Sequence, residues 1–354
     1  MEETKNVITK REEKRYDAYS LKELRTTTIS NTTLLDPFIP AVGIATVVGM
    51  PDSGKSMLCR NLALSIAFGK KTFLGLKLNS IHKRALFVTT EDTLEATKDC
   101  FVRMANSFKS PARAFHEENL HILLADDLTP DEIIERINEY LNEFDFDVII
   151  VDAYGDVFKG GEGNSNIQNR NSLRPFSIIA KTYGVSIIFV HHTNKAAKFA
   201  SPDQIHVQGG SGFVQKVRTV LELRPSRTQD EIRFLACTKG NGVPAEAKKR
   251  AIELEFDPNT FIYKETGNTI AVSDLKFEKD PEGTRHMIDG SLLFKESELT
   301  LTRAIIIGRI VEQYGVSERT AIRWIGENLT STKLGTYENP NKKANSERAT
   351  SSIS

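Results

Sequence analysis

The sequence predicts an α/β fold: a mostly parallel sheet with an antiparallel extension, followed by a small helical unit. Three observations predict it. Short apolar, β-branched runs alternate with helix-like stretches up to about residue 192, the pattern of a parallel sheet covered by helices. One of these runs passes straight into the glycine-rich string GMPDSGKS at 49–56. Beyond about residue 217 the alternation stops and four strand-like runs follow one another across short turns.

The elements follow in order. GIATVVG (43–49) is apolar and bounded by glycine, a buried strand, and a helix runs from about 56 to 68 with Gly69 as its stop. RALFVTT (84–90) is a second buried strand, after which the chain is helical to about 108. HILLA (121–125) is a short strand. Thr129, Pro130, Asp131 and Glu132 open a helix: a capping hydroxyl, a proline at the first position and acids in the first turn. DVIIVDA (147–153) is a strand, the Gly/Asn-rich loop 155–166 leads into a helix ending near Tyr183, and GVSIIFVHH (184–192) is the next strand. RTVLEL, EIRFLACTK, AIELEFD and TFIYKE form the antiparallel extension.

The chain has 354 residues, more than a single core comfortably holds. Five segments are expected: a polar leader 1–30, an α/β domain 31–265 that carries the glycine-rich string, a linker 266–298, a helix-turn-helix unit 299–335 and a disordered tail 336–354. With 47 Lys plus Arg against 47 Asp plus Glu, the net charge is zero, which excludes a protein that coats a polyanion by bulk charge. Three scattered cysteines, Cys59, Cys100 and Cys237, make neither a disulfide framework nor a zinc site. The first 20 residues lack the apolar stretch of a signal peptide and no apolar run reaches 18 residues, so a cytoplasmic location with no membrane partner is expected.

The segment 49–56 satisfies G-x-x-x-x-G-K-[ST] in full, and its context, after a strand and opening a helix, is the one the mechanism needs. Backbone N–H groups of Gly49, Met50, Pro51, Asp52, Ser53, Gly54 and onward to Met57 would wrap phosphates, proline supplying only its geometry. Lys55 would reach the β- and γ-phosphates of ATP and Ser56 would ligate Mg²⁺. Asp152 ends a buried strand and is the expected second metal ligand. Glu91 follows another strand and is the expected base that orients the attacking water, while its neighbour Asp92 suits a helix cap.

The P-loop, Glu91, the Asp152 strand and the phrase Phe189-Val190-His191-His192-Thr193-Asn194-Lys195 together resemble RecA-fold ATPases of the RepA type, ring-forming replicative helicases of plasmids, over roughly residues 30–265. The resemblance implies a RecA-like core, a hexamer hydrolysing ATP at subunit interfaces, Glu91 as base, Asp152 on the metal, and His192 as γ-phosphate sensor. It also implies an arginine finger acting on the neighbouring subunit. Arg218 is the expected match, with Arg224, Arg227 and Lys239 as rivals. His191 should face the other side of the sheet, since strand neighbours alternate.

Two places suit DNA. The polar loop from Lys195 to about Gln208 resembles the channel-lining loop of such rings: Lys195 and Lys198 would meet phosphates and Phe199 a base, with Lys159 a weaker candidate. The segment 299–354 carries eight Lys or Arg against five Glu. Its helix, Gly turn and second helix fit a helix-turn-helix and resemble winged-helix domains, with Arg319, Thr320 and Arg323 toward DNA and 334–337 as a short wing. The expected function is an ATP-driven motor on single-stranded or duplex DNA, a replicative helicase of a plasmid or mobile element that works with an initiator or primase. The alternative is an ATP-switched regulatory, excision or partition protein that binds DNA without unwinding it. A small-molecule P-loop kinase fits least, for want of a lid-like arginine cluster.

Overall fold

The computed structural model of the chain describes residues 19–26, 32–110, 113–157, 170–194, 196–197, 200–226, 228–276, 290–295, 297–314, 318–332 and 335–339. These fall into two compact units, one up to Phe277 and one from Glu278 onward.

The first unit is built on a nine-stranded sheet. In chain order its strands are β1 (Gly43–Gly49), β2 (Ala85–Thr89), β3 (Leu120–Leu124), β4 (Val148–Asp152), β5 (Ser186–His192), β6 (Thr219–Pro225), β7 (Ile232–Gly240), β8 (Arg250–Asp257) and β9 (Ile262–Ala271). Their order across the sheet is β9-β8-β7-β6-β1-β5-β4-β2-β3. Every pairing from β6 to β3 is parallel, and β7, β8 and β9 continue antiparallel beyond β6.

The buried strands alternate in facing. Ala45, Val47, Val148 and Ile150 point to one layer, with α1 (Lys55–Ala67) and α2 (Leu94–Ala105). Ile44, Val48, Ile149 and Val151 point to the other, with α3 (Pro130–Glu143), α4 (Arg174–Tyr183) and α5 (Gly210–Lys216). A sheet covered on both faces needs apolar residues of either parity, which is why these strands read as unbroken apolar runs. Helix α3 starts as expected: Thr129 and Glu132 form a reciprocal capping box and Pro130 sits in the first turn. No described helix is long and apolar enough to cross a membrane.

The expected linker is corrected at both ends. Its first residues continue β9 to Ala271, and Leu275 then packs with Ala236 and Ala251. The polar string that reads as a turn is instead a register shift: Gly267 takes φ 85°, and Thr266 and Asn268 both donate to the Glu253 carboxylate, at 2.8 and 3.0 Å. At the other end, Leu293 and Phe294 belong to the core of the second unit. There α6 (Arg303–Tyr314) and α7 (Glu318–Asn328) bury Ile306, Ile310, Ala321 and Ile325, and β10 (Thr300–Thr302) pairs antiparallel with β11 (Thr336–Glu338). Arg309 holds the entry to this unit, donating to the Glu298 carboxylate and to the Leu293 carbonyl. That pairing pushes Glu298 down to about 2.

Phe189 is fully buried in β5, with its ring 5.0 Å from Phe176 and 5.4 Å from Tyr154. Phe189→Ala should remove about 3–5 kcal/mol from the first unit, read as a lower urea midpoint of its unfolding transition with little change in slope.

Candidate functional site

The strand order converges the expected residues on one edge. P-loop strand β1 and acidic strand β4 are separated by β5, so the C-terminal ends of three parallel strands carry Gly49, His192 and Asp152 side by side. The backbone closes the seam: Thr193 N–H donates to the Gly49 carbonyl at 3.1 Å, and Thr90 N–H donates to the Asp152 carbonyl at 2.8 Å. The result is a cleft of about 540 Å³ whose wall includes Asp52, Gly54, Lys55, Ser56, Met57, Glu91, Asp152 and His192, a volume ordinary for a small-molecule site.

The loop before α1 is shaped by two glycines. Gly49 lies where a Cβ would meet the Leu223 carbonyl at 2.5 Å. Gly54 is the residue preceding the helix, at φ 92°, and a Cβ there would meet the Tyr263 hydroxyl at 2.0 Å. Only glycine satisfies both the backbone and the space. Lys55 is buried at 5 % exposure and donates to the Met50 carbonyl at 2.8 Å. Burial lowers its pKa, opposed by the nearby carboxylates of Asp152 and Glu91. Among the described residues Lys55 makes no ion pair, so an anion in the cleft would find a cation already aimed and largely dehydrated.

Ser56 donates to the Asp152 carboxylate at 3.2 Å. Burial raises Asp152, and the strongest opposing influence is Arg60, ahead of the Ser56 hydrogen bond. A hydroxyl and a buried carboxylate are hard oxygen donors, and a divalent cation would relieve the cost of burying the second. No group of three or more His, Cys, Asp or Glu among the described residues could hold a metal. By the chemistry of its two oxygen donors the Ser56–Asp152 pair fits Mg²⁺, which takes one or two protein ligands and completes its shell with phosphate oxygens and water.

The two histidines divide as alternation requires. His191 is buried between the rings of Tyr154 and Phe213, at 4.8 and 4.9 Å, and its Nε2 donates to the Gln208 carbonyl at 2.8 Å. Half-buried His192 lines the cleft, lowered by burial and then by Lys55, with its Nδ1 unpartnered among the described residues. The loop that follows returns beside it: Gln208 N–H donates to the His192 carbonyl at 3.0 Å and Asn194 N–H to the His206 carbonyl at 2.7 Å. Lys195, Lys198 and Phe199 lie outside the described residues, as does Lys159.

Other expectations are redistributed. Thr93, not Asp92, caps α2, accepting from Ala96 N–H at 3.4 Å, and Asp92 is free to pair with Arg60. Arg218 lies across Gly43, at the opposite end of β1 from the P-loop, with its side chain exposed. It cannot serve its own chain's cleft, so any role at a phosphate is in trans. Arg224 is committed to a buried pair with Glu222 and to the Ala200 and Leu275 carbonyls. Lys239 caps the end of α5 through the Val214 and Val217 carbonyls. Arg227 lies outside the described residues, as do the side chains of Arg319 and Thr320 on α7. Arg323 on the same helix is exposed, 3.9 Å from Glu327.

Three residues of the wall are not legible as site residues in the sequence: Arg233 of β7, Phe256 of β8 and Tyr263 of β9. Arg233 Nε donates to the Ser53 carbonyl at 3.2 Å, and the Tyr263 hydroxyl reaches the Gly54 carbonyl at 3.5 Å. Asn61 of α1 locks this wall in place. Its side chain accepts from Tyr263 N–H at 2.7 Å and donates to the Phe261 carbonyl at 3.0 Å. The antiparallel extension is thus the side wall of the P-loop.

His191 provides a pH test. Burial pushes it down to about 4 from 6.5. The folded state then binds fewer protons than the unfolded state between these values, so stability falls as pH drops from 6.5 toward 4 and levels off below. His191→Gln should flatten that part of the profile, measured by urea unfolding across pH 4–7 and subtracted from the wild-type curve.

Residues 10–198, more than half of the chain, match the AAA_25 family model, described as an AAA domain. No curated protein matches the chain. Among solved structures, the ATPase domain of G40P is similar at 10 % identity and a TM-score of 0.49, over 63 % of this chain and 84 % of that one. With the P-loop, the acidic strand ends and the inserted strand β5 brought to one cleft, the family match makes this chain a member of the AAA_25 family of AAA domains, a P-loop ATPase built on a mostly parallel α/β sheet.

Proposed function

We propose that the chain is a Mg²⁺-dependent, ATP-driven DNA motor, a ring-forming replicative helicase of a plasmid or mobile element that hydrolyses ATP between subunits. The observation that carries this reading is the convergence of Lys55, Ser56, Glu91, Asp152 and His192 on one cleft. The P-loop amides and Lys55 bind and orient the β- and γ-phosphates. Ser56 and Asp152 hold Mg²⁺, which when bound neutralises charge developing on the phosphates. Glu91 accepts a hydrogen bond from the attacking water and orients it in line with the γ-phosphorus. The nucleobase lies against Phe256 and Tyr263, with Arg233 beside it. Arg218 of one subunit serves the γ-phosphate of the next.

Position supports the coupling to DNA. His192 touches the cleft and its own carbonyl holds the far end of the loop that begins at Asn194. A hydrogen bond from His192 to the γ-phosphate, made before hydrolysis and lost after it, would move that loop. Lys195 and Lys198 in the loop, and Arg319, Thr320 and Arg323 in the second unit, are the proposed DNA contacts, and an initiator or primase is the proposed protein partner.

The decisive experiment is unwinding of a forked duplex, with Lys55→Ala as the inactive control. ATP turnover stimulated by single-stranded DNA, together with strand separation, is expected. Assembly on one duplex sequence with slow turnover and no separation would replace the motor by a switch. Arg218→Ala should still bind ATP and lose about 10³-fold or more in turnover, and mixing it with Lys55→Ala subunits should restore part of the activity. Phe256→Ala should weaken ATP binding and leave inorganic tripolyphosphate binding unchanged, whereas Lys55→Ala should weaken both.

A further inference from the structure

Helix α1 presents two polar side chains one turn apart, Ser56 and Arg60, on the face that meets the sheet. Each reaches a carboxylate at the end of a different strand. Ser56 meets Asp152 at the end of β4, and Arg60 pairs with Asp92, three residues beyond β2. Strands β4 and β2 are neighbours, and their ends are tied to each other: the Thr90 hydroxyl accepts from Ala153 N–H at 3.1 Å and donates to the Asp152 carbonyl at 3.3 Å. Between Thr90 and Asp92 stands Glu91, in the wall of the cleft.

The Arg60 side chain is only 3 % exposed, against 34 % for Asp92. Its guanidinium lies over the rings of Phe87 and Phe101, at 5.5 and 5.7 Å, and its Nε has no hydrogen-bond partner among the described residues. Asp92 is held from the other side by Thr89, whose hydroxyl donates to its carboxylate and accepts from its N–H, both at 3.3 Å. A guanidinium this deep is not what packing asks for. Desolvating it is costly, and an apolar side chain of similar volume would fill the space at least as well.

We propose that Arg60 is a positioning residue for ATP hydrolysis. Through Asp92 it clamps the turn that carries Glu91 to the helix that carries Lys55 and Ser56, so that the water-orienting carboxylate and the phosphate-binding residues hold one fixed spacing. The proposal rests on the reading of Glu91 as the base. Arg60 lies outside the cleft wall and acts on Glu91 through Asp92 and the backbone of the turn. Because its charge also favours the Asp152 carboxylate, Asp92→Asn, which leaves that charge in place, isolates the clamp.

The test compares Arg60→Met, which keeps the volume and removes the charge, with Asp92→Asn, a near-isosteric change at the exposed end of the pair. Steady-state kinetics and binding of a fluorescent ATP analogue are measured for each, alone and combined with Glu91→Gln. Misplacing a catalytic group by about 1 Å costs on the order of 100-fold. Both single variants should therefore lose about 10-fold to 100-fold in kcat, and Asp92→Asn, which keeps the Arg60 charge beside Asp152, should leave KM and analogue affinity within about 2-fold of wild type. In the Glu91→Gln background neither should lower kcat further, because the group they position is gone. In Asp92→Asn, loss of analogue binding in step with kcat, unchanged kcat, or full additivity with Glu91→Gln would each overturn the clamp. Undiminished turnover in Glu91→Gln alone would instead overturn the reading of Glu91, and the clamp with it. If Arg60→Met fails to fold, Asp92→Asn carries the same comparison.

Discussion

The structure of the cleft follows from one constraint: a lysine ammonium is held at 5 % exposure with, among the described residues, a single carbonyl as its hydrogen-bond partner. Burying a cation without an ion pair is costly, and the surroundings offset that cost at a distance. Asp152 and Glu91 lend negative potential without closing on Lys55. Asp152 is itself steadied by Arg60 and by Ser56. The lysine charge is therefore balanced at a distance by carboxylates around the cleft, and a bound triphosphate with its cation would meet both signs of charge together.

That arrangement exists because β5 lies between β1 and β4. Had the acidic strand paired directly with the P-loop strand, His192 would have no place in the cleft. The inserted strand puts an imidazole between lysine and aspartate. It also puts the start of the following loop beside the phosphate position, since Gln208 N–H returns to the His192 carbonyl. The opposite neighbour of β1 is β6, and it brings the antiparallel strands round to form the cleft's side wall.

What could be read from sequence was what is contiguous. The P-loop, the helix after it and the capping box at Thr129 are local patterns whose geometry is fixed within a few residues. Glu91 and Asp152 were legible because each ends an apolar run. Arg233, Phe256 and Tyr263 were not, because each is an ordinary strand residue and only the order of pairing beside β6 carries them to Ser53 and Gly54. Arg60 was hidden in a different way. Helix α1 is buried nearly all round, so a charged residue in it looks like an exposed one until its partner, thirty-two positions away, is seen. The linker was misjudged because Thr266, Gly267 and Asn268 spell a turn, while Glu253 across the strand supplies the acceptor that turns them into a bulge.

The side wall has a consequence for where the ATPase can be divided. The family match ends at residue 198, but the wall beside the P-loop comes from residues 233 to 263. A chain cut at the edge of sequence similarity would lose β6, the strand that covers one side of β1, leaving the P-loop strand as an open, apolar sheet margin ready to pair with any other. It would lose Tyr263 over Gly54 and both hydrogen-bonding partners that Asn61 finds on β9 and the turn before it. The span of sequence similarity and the compact unit therefore differ here: the unit runs on to Phe277, and the Leu275 side chain closes the small core under β7 and β8.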